Sequence, residues 1–317
     1  MSDVAPNAFC HIPVLLDEVI ANCGLSESKR QRLIDGTIGG GGHSAALLRR
    51  FPKLEILGID RDCDALEAAA KNLSFAKERV TLAHGDYADY HALSREIGWD
   101  TVDAVLLDIG VSSYQIDTGE RGFAWRLPGP LDMRMDRAKP LTASVVLNRY
   151  PQEKLERIFR DYGEIREAKL LARRIVEARA QKPFETTDDF AGICRQVLRR
   201  SRTGAPPEPT LAFQAVRIEV NDELGQLRRA LSGLPGILNP GGRALIISFH
   251  SLEDRLVKEF FRLESSSCIC PPGLPVCVCG HRASLRMIER KPLTATAEEI
   301  SRNRRSACAK LRVAEKL

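Results

Sequence analysis

The sequence contains few aromatic residues and no long hydrophobic run. Its 317 residues include only 11 Phe, 5 Tyr and 2 Trp, so the core must consist mostly of aliphatic side chains. No segment approaches the roughly 20 apolar residues that a transmembrane helix requires. The start of the chain also lacks the charged and apolar regions of a secretory signal. These absences exclude a membrane protein and favour a cytoplasmic protein with a sizeable core.

Disulfide bonds are not expected either. The nine cysteines are an odd number, and five of them are isolated in the sequence, so we interpret those as reduced thiols. The other four form a cluster: Cys268, Cys270, Cys277 and Cys279. Two C-x-C pairs can form a tetrahedral zinc site. Their spacing is tighter than the usual C-x2-C, however, and packed reduced thiols or a redox pair remain alternatives.

The net charge of +5 is modest but unevenly distributed. Residues 151–205 and 281–317 both contain more Lys and Arg than Asp and Glu, so the remainder of the chain is acidic. Two basic regions on an acidic body suit a polyanionic partner. Solvated helix surfaces would explain the first region equally well, so charge alone does not identify the partner.

Short aliphatic runs alternate with helical patterns in the first third of the chain. We predict helices at residues 43–50 and 62–73, and strands at residues 32–35, 54–60, 80–84 and 102–108. This spacing is typical of βαβ units, so it predicts a parallel sheet with helices on both faces.

The alternation then stops. The next comparable strand, residues 244–249, is too distant for a single crossover helix. The intervening segment has helical periodicity, and a helix is predicted to begin at Thr187. Its inward-facing residues are predicted to include Leu155, Ile158, Phe159, Leu170, Leu171, Ile175, Phe190 and Cys194. We therefore predict an α/β core formed by residues 1–117 and 213–317, with an inserted all-helical domain at residues 118–212.

A glycine-rich loop, Gly39 to Gly42, lies between the first strand and the first helix. Such a loop directs backbone N–H groups and a helix N-terminus at a ligand, and glycine allows the ligand to approach closely. Asp60 ends the second strand, where a carboxylate can accept both ribose hydroxyls of an adenosine. NAD and S-adenosylmethionine both use this arrangement, so the loop discriminates weakly between them.

Two acids favour the methyl donor. Asp35 precedes the glycines, where its charge would attract the sulfonium and amino groups of S-adenosylmethionine but repel a pyrophosphate. Asp108 ends the fourth strand, and that position faces the transferred methyl group in this architecture. Helix capping or loop bracing is the alternative role for either acid. No second dinucleotide-binding half is evident in the sequence.

Longer motifs resemble those of the RsmH (MraW) family of ribosomal RNA cytidine methyltransferases. The matching segments are HIPVLLDEV (residues 11–19), DGTIGGGGHS (35–44), LGIDRD (57–62), LLDIGVSSYQID (106–117), RGFAW (121–125), GPLDMRMD (129–136), FQAVRIEVNDEL (213–224) and ISFHSLEDR (247–255). GPLDMRMD and SFHSLEDR are long and unusual, so their joint presence is a specific signal. The resemblance extends over nearly the whole chain.

The resemblance implies a Rossmann-like class I methyltransferase fold. It implies methyl transfer from S-adenosylmethionine to the exocyclic N4 of a cytidine in the decoding region of small-subunit (16S) rRNA. It also implies that Gly41, Gly42 and His43 hold the methionine part of the donor. The sequence departs from the family pattern at Gly40, where many members have Arg, and at Ile38, where an aromatic residue is usual.

Four further positions of the donor pocket follow from the same resemblance. Asp60 would hold the ribose, and Tyr87 would flank the adenine. Asp108 and Gln115 would complete the pocket.

The expected reaction needs a proton acceptor. Cytosine N4 is a poor nucleophile because its lone pair is delocalised into the ring, so the protein must position the nitrogen and accept its proton. Asp108 is the first candidate for this acceptor and His250 the second. His250 could instead bind the base or a phosphate, or it could be a packed, hydrogen-bonded histidine.

Other polar and aromatic residues have two interpretations. Phe123 and Trp125 could stack on an exposed base or belong to the core. Arg121, Asp132 and Arg134 could shape the base pocket or lock the insertion in place.

Two other functions remain open: an NAD-linked oxidoreductase, and an RNA-binding ribosome assembly factor without turnover. The insertion is the expected substrate-recognition domain, and its candidate RNA-binding arginines are Arg157, Arg160, Arg173, Arg174, Arg199 and Arg200. The sequence does not decide between naked rRNA and an assembled or nearly assembled small ribosomal subunit as the substrate. It also leaves the oligomeric state open, with a homodimer as one alternative.

Overall fold

The computed structural model describes residues 13–198, 208–271, 274 and 276–317. Arg199, Arg200 and the first two residues of the HIPVLLDEV motif lie outside the described residues. The chain divides into two compact units. The first, the α/β unit, comprises Met1–Gly110 and Leu224–Leu317, and the second, the helical unit, comprises Val111–Glu223.

A seven-stranded sheet forms the centre of the α/β unit, in the order β3-β2-β1-β4-β5-β7-β6. The strands are β1 (Gln31–Asp35), β2 (Leu54–Asp60), β3 (Val80–His84), β4 (Val102–Asp108), β5 (Leu238–Ser248), β6 (Leu285–Met287) and β7 (Lys310–Lys316). Strands β1 to β5 are parallel, whereas β7 runs antiparallel to β5 and to β6. The predicted Rossmann-like α/β fold is confirmed.

Helices surround this sheet and form the second unit. They are α1 (Leu16–Asn22), α2 (Gly42–Arg50), α3 (Cys63–Asn72), α4 (Tyr90–Glu96), α5 (Ser113–Asp117), α6 (Ala143–Arg149), α7 (Gln152–Asp161), α8 (Ala168–Arg179), α9 (Thr187–Val197), α10 (Glu208–Asn221), α11 (Glu223–Ile237), α12 (Ser251–Glu264) and α13 (Ala297–Arg302). Among the described residues, no helix is both long enough and apolar enough to cross a membrane.

Successive side chains of β4 point to opposite faces of the sheet. Ala104 and Leu106 join the apolar cluster that includes Leu47 of α2, whereas Val105 and Leu107 join the cluster that includes α11. All four strand residues are fully buried. A strand that is covered on both faces has a continuous aliphatic sequence, which is why the sequence located β2 and β4 at their observed bounds. Strand β3 was located at its bounds as well, although it is an edge strand without a buried residue.

Strand β5 begins earlier than predicted. The sequence predicted a strand that begins at residue 244, but Pro240, Gly241 and Gly242 already lie inside β5. The pairing register with β4 jumps from Leu238 to Arg243, so the extra residues form a bulge. Gly241 has φ +80° there, a conformation that glycine adopts without steric cost.

The helical unit has its own hydrophobic core, contributed by α6 to α10. Leu155, Ile158, Phe159 and Phe190 are buried in it as predicted. Leu170 is 37% exposed, so the prediction that it faces inward was wrong. It immediately precedes the fully buried Leu171 on α8, and only one face of that helix is covered.

The observed units extend beyond the predicted insertion of residues 118–212. The α/β fold was expected to resume near Phe213, but Phe213, Val216 and Val220 of α10 are part of the core of the helical unit. The α/β unit therefore resumes at Leu224, because the apolar face of α10 packs with α7 and α9.

Candidate functional site

The order of the sheet reverses between β1 and β4, which pair with each other while their chain neighbours lie on opposite sides. Ligands of open α/β sheets bind at the carboxyl ends of the strands at such a point. Asp35 ends β1 and Asp108 ends β4, with Asp60 at the end of the adjacent β2. The structure therefore brings the three predicted acids to the same edge of the sheet.

The glycine loop connects β1 to α2 across this edge. Gly41 has φ +80° and is the N-terminal cap of α2. A Cβ at this position would lie 3.1 Å from two side-chain atoms of Leu73, so a larger residue is strained in conformation and requires Leu73 to move slightly. Gly42 is the first residue of the helix, where backbone N–H groups have no partner within the helix. These groups suit a polar ligand.

Asp60 fastens the glycine loop to β2. Its Oδ2 accepts a hydrogen bond from the Gly39 N–H at 2.9 Å, and its Oδ1 accepts one from the Asp62 N–H at 2.9 Å. Burial raises the pKa of its carboxyl group, because the charged form loses hydration. Each carboxylate oxygen has further lone-pair capacity for a ribose hydroxyl.

Asp35 has a bracing role. It is 2% exposed, and its Oδ2 accepts a hydrogen bond from the Ser44 hydroxyl of α2 at 2.7 Å. Its Oδ1 accepts a longer bond from the Thr37 N–H at 3.3 Å. Burial raises its pKa to about 6. Bracing, the alternative considered from the sequence, is thus present, and contact with a donor stays a prediction.

His43 and Asp108 form a close polar pair. His43 Nε2 lies 2.9 Å from the carbonyl oxygen of Val14. Since a carbonyl can only accept, Nε2 must carry the proton. Its Nδ1 lies 3.7 Å from Asp108 Oδ2. Burial lowers the pKa of His43, so the neutral ring presents an unprotonated nitrogen to the carboxyl group.

The other oxygen of Asp108, Oδ1, is buried and has no hydrogen-bond partner among the described residues. Burial raises the pKa of Asp108 to about 7, and the charge of Glu253 adds to this effect. A buried polar atom without a partner is unusual in a folded protein. Asp108 is therefore the residue of this edge that is best prepared to bind a ligand or hold a proton.

His250 follows β5 and precedes α12. Its Nε2 lies 3.1 Å from Glu253 Oε1, but the alignment is not that of a hydrogen bond. In the described part of the chain, neither ring nitrogen has a hydrogen-bond partner. The ring is packed beside the Glu253 carboxylate, so the alternative of a packed histidine stays open. Glu253 holds the start of α12 by accepting from the Phe249 N–H at 2.9 Å.

Tyr87 lies in a short turn, Tyr87–Asp89, that follows β3. It is buried, and the guanidinium of Arg61 lies 5.8 Å from its ring centroid. The Cβ atom of Tyr87 would be 2.9 Å from a Cβ added to Gly36. Tyr87 is therefore adjacent to the start of the glycine loop, and its contact with an adenine stays a prediction.

Comparison with known proteins agrees with the motifs. The model of the MraW methylase family matches residues 8–317. This chain belongs to that family. A protein from Carboxydothermus hydrogenoformans named ribosomal RNA small subunit methyltransferase H is 47% identical, over 98% of each chain. A protein of the same name from Nitratidesulfovibrio vulgaris is 48% identical over 98% of this chain and 86% of its own.

Among solved structures, a putative rRNA methylase from Clostridium thermocellum is similar over 95% of both chains, with 12% identity and a TM-score of 0.42. A similarity at that level carries no argument about function. Membership of a methylase family, by contrast, removes the support for an NAD-linked oxidoreductase.

Gln115 belongs to the helical unit, unlike the other predicted donor-binding residues of the family pattern. Its Oε1 accepts from the Ser112 N–H at 3.1 Å, and its own N–H donates to Ser112 Oγ at 3.2 Å. This reciprocal pair is a capping box at the start of α5. Gln115 therefore has a structural role, and its contribution to the pocket stays a prediction.

The polar residues of RGFAW and GPLDMRMD brace the helical unit. Arg121 is 1% exposed and donates to the carbonyl oxygens of Arg134 and Met135, both at 3.1 Å. Arg134 Nε and Nη2 each donate at 2.8 Å to different oxygens of Asp132. Such a bidentate pair fixes the geometry of the loop. Within this unit, locking is the role that the contacts support.

Phe123 and Trp125 are also engaged within the helical unit. Phe123 is buried in its core. The Trp125 indole donates to Thr210 Oγ1 at 3.0 Å, and its ring has the guanidinium groups of Arg126 and Arg195 at 4.8 and 5.6 Å from its centroid. These contacts favour a packing role over base stacking.

Sequence reasoning missed several supporting residues. Glu253, whose charge raises the pKa of Asp108, was not singled out, although it lies inside the SFHSLEDR motif. Thr37 was also missed, and its hydroxyl accepts from the Asp108 N–H at 2.6 Å. Neither role has a local signal, because each joins segments that are distant in sequence.

Proposed function

We propose that this protein transfers a methyl group from S-adenosylmethionine to the exocyclic N4 of a cytidine in the decoding region of small-subunit (16S) rRNA. Membership of a methylase family and relatives named as small-subunit rRNA methyltransferases support the reaction class and the RNA substrate. The observation that carries the proposal is the unsatisfied Oδ1 of Asp108 at the end of β4, beside the glycine loop. A ribosomal substrate would also place the protein in the cytoplasm.

The site fits S-adenosylmethionine. Gly42, the first residue of α2, offers its backbone N–H at the helix N-terminus, and Asp60 offers acceptor oxygens for a ribose. Asp35 above about pH 6 and the ionised form of Asp108 supply negative potential, which suits a sulfonium and disfavours a pyrophosphate. When bound, S-adenosylmethionine supplies a methyl group on a positively charged sulfur. Tyr87 and Gln115 are the remaining residues that we assign to the pocket.

Asp108 is the proposed proton acceptor. As a new N–C bond forms at the amino nitrogen and the C–S bond breaks, the nitrogen must lose one of its protons. Asp108 Oδ1 has no competing hydrogen bond among the described residues, and a pKa of about 7 lets it accept a proton and release it again near neutral pH. His43 Nδ1, 3.7 Å from Oδ2, is positioned to share that proton. His250 would orient the base.

The helical unit is the proposed RNA-recognition region. Its basic surface is partly neutralised, since Arg160 lies near Glu156 and Asp161, and Arg173 and Arg174 both lie near Glu177. Exposed ion pairs of this kind are weak, so a phosphate can compete for these arginines. A homodimer stays a prediction.

Methyl-labelled S-adenosylmethionine tests the proposal. The protein would be offered, in parallel, small subunits lacking the modification, naked rRNA, tRNA and DNA, and each would be digested to identify the labelled nucleoside. We expect label in N4-methylcytidine from the rRNA. Comparing the label in small subunits with the label in naked rRNA shows which of the two is the substrate. Donor binding and RNA binding without label would favour the assembly-factor alternative, and absence of donor binding would contradict the proposal.

A further inference from the structure

The segment between α12 and β6 is tied to α12 near its end, where the Ser284 N–H donates to the carbonyl oxygen of Glu264 at 2.9 Å. Its described residues contain no helix or strand. Four of its aliphatic side chains point to solvent, with Ile269, Leu274, Val276 and Val278 between 47% and 77% exposed. A loop of this length without a core or secondary structure is uncommon in a compact domain. A cross-link would therefore stabilise it.

Four sulfur atoms converge in this loop. The Sγ atoms of Cys268, Cys270, Cys277 and Cys279 all lie within 4.8 Å of one another. Cys279 Sγ lies 3.5 Å from Cys277 Sγ and 3.7 Å from Cys268 Sγ. Four thiolates at a Zn–S distance of about 2.3 Å, arranged as a tetrahedron, are separated by about 3.8 Å. The two Sγ–Sγ distances of Cys279 match this value, and the 4.8 Å limit on the others lets the four sulfur atoms close around one ion.

Backbone N–H groups are directed at the sulfur atoms. Cys268 Sγ accepts from the Cys270 N–H, and Cys270 Sγ accepts from the Val278 N–H, both at 3.4 Å. Cys279 Sγ accepts from the Ile269 N–H, also at 3.4 Å. A divalent ion with four thiolates has a net charge of −2, and N–H donors of this kind offset that charge.

We propose that Cys268, Cys270, Cys277 and Cys279 form a closed, structural zinc site that holds this loop in place. Four metal–sulfur bonds form on binding, and the protons of the thiols are released to solvent. Zinc is favoured over harder cations because all four ligands are soft sulfur atoms. The proposal is independent of the methyl-transfer reaction, since it concerns the stability of a loop.

The alternatives considered from the sequence fit less well. Packed thiols require a core, but Cys268 and Cys277 are exposed. A redox pair requires two sulfur atoms to be close, and does not explain why all four converge. His281 is not a competing ligand through Nε2, because that nitrogen lies 3.0 Å from the carbonyl oxygen of Leu263.

Metal analysis of the purified full-length protein tests the site. We expect about one zinc ion per chain, and its loss to a small fraction of that in Cys279→Ser. The matched control is Cys63→Ser, which removes an exposed thiol outside the cluster and should retain the metal. In wild-type protein, replacement of zinc by Co²⁺ should give the thiolate-to-cobalt charge-transfer absorption of a tetrahedral sulfur site, whether or not the variant folds.

A second readout follows the loop itself. Chelation should expose the four thiols to a thiol-specific reagent and increase proteolysis between residues 265 and 284, and added Zn²⁺ should reverse both effects. The proposal is overturned if the reduced protein neither contains zinc nor binds added Zn²⁺ or Co²⁺ stoichiometrically. It is also overturned if the isolated protein has a mass lower by two hydrogens per cysteine pair, since that shows disulfides.

Discussion

The two units differ in how completely their buried polar side chains are hydrogen-bonded. In the α/β unit, Asp108 Oδ1 and both ring nitrogens of His250 lack hydrogen-bond partners among the described residues. In the helical unit, the buried guanidinium of Arg121 donates to two carbonyl oxygens, and Arg134 donates two hydrogen bonds to Asp132. An unsatisfied buried group costs stability, whereas a satisfied one maintains it. We infer that the first set is retained for a ligand and the second for the fold.

Replacing Asp108 gives the largest expected effect. Asp108→Asn removes the proton acceptor, so turnover should fall by about 10²- to 10⁴-fold. The free energy of unfolding should not fall, because no hydrogen bond to Oδ1 is lost and the amide has no charge to bury. Single-turnover methylation and urea unfolding measure the two quantities. Asp100→Asn, at an exposed position, should change neither, and full turnover in Asp108→Asn with unchanged donor affinity would refute the assignment.

Replacing Arg121 should have the reverse outcome. Arg121→Met leaves two buried carbonyl oxygens without their donor, so the free energy of unfolding should fall by roughly 2–4 kcal/mol. The folded fraction should retain its affinity for S-adenosylmethionine. Urea unfolding checks the first expectation and calorimetric titration the second. Arg166→Met removes an exposed arginine of the same unit and should have almost no effect. If Arg121→Met and Arg166→Met are equally stable, the proposed difference between the two units is refuted.

Two glycines sharpen the distinction between fold and site. Gly41 and Gly98 both have positive φ, but a Cβ would contact Leu73 only at Gly41 and would meet nothing within 4 Å at Gly98. Both alanine variants should lose roughly 1 kcal/mol of stability. Only Gly41→Ala should also weaken donor binding, by about tenfold, because the loop must shift. If Gly41→Ala and Gly98→Ala bind the donor with equal affinity in equilibrium dialysis, the loop at Gly41 does not contact the donor.

The smallest expected effect is on pH dependence. The values of kcat/KM should rise with pH and level off above about pH 7, since Asp108 must be ionised to accept a proton. Stability should change in the other direction. The unfolded carboxyl ionises near pH 4 and the folded one near 7, so the free energy of unfolding falls as pH rises through that window. Asp108→Asn should reduce this fall, and an unchanged pH dependence of stability would contradict the raised pKa.

Much of the fold was predictable because it has local causes. Strands β2 and β4 are largely buried and mostly aliphatic, and α9 begins at the predicted Thr187 because Thr186 and Asp189 cap each other. The extent of the helical unit was not predictable. The apolar face of α10 is equally suited to either unit, and only its packing against α7 and α9 assigns it to the second.

The sequence predicted that acids and glycines meet at the carboxyl ends of the strands, but not their hydrogen bonds or pKa shifts. The acids at the strand ends and the glycines follow from the loop pattern, and His43 from the family resemblance. That Gln115 is used in a capping box, and that Glu253 raises the pKa of Asp108, depends on contacts that the sequence does not reveal. A motif identifies which residues matter, and only their hydrogen bonds distinguish a ligand-binding residue from a structural one.

The position of β7 between β5 and β6 has a consequence for synthesis. β6 pairs with β7 and with no other strand in the described part of the chain. The ribosome makes β7 after both of its neighbours, so during translation β6 has no partner and β5 presents an open edge. Unpaired edges are prone to aggregation, and long-range pairing is slow to form. The sheet is therefore completed only after residues 310–316 have left the ribosome.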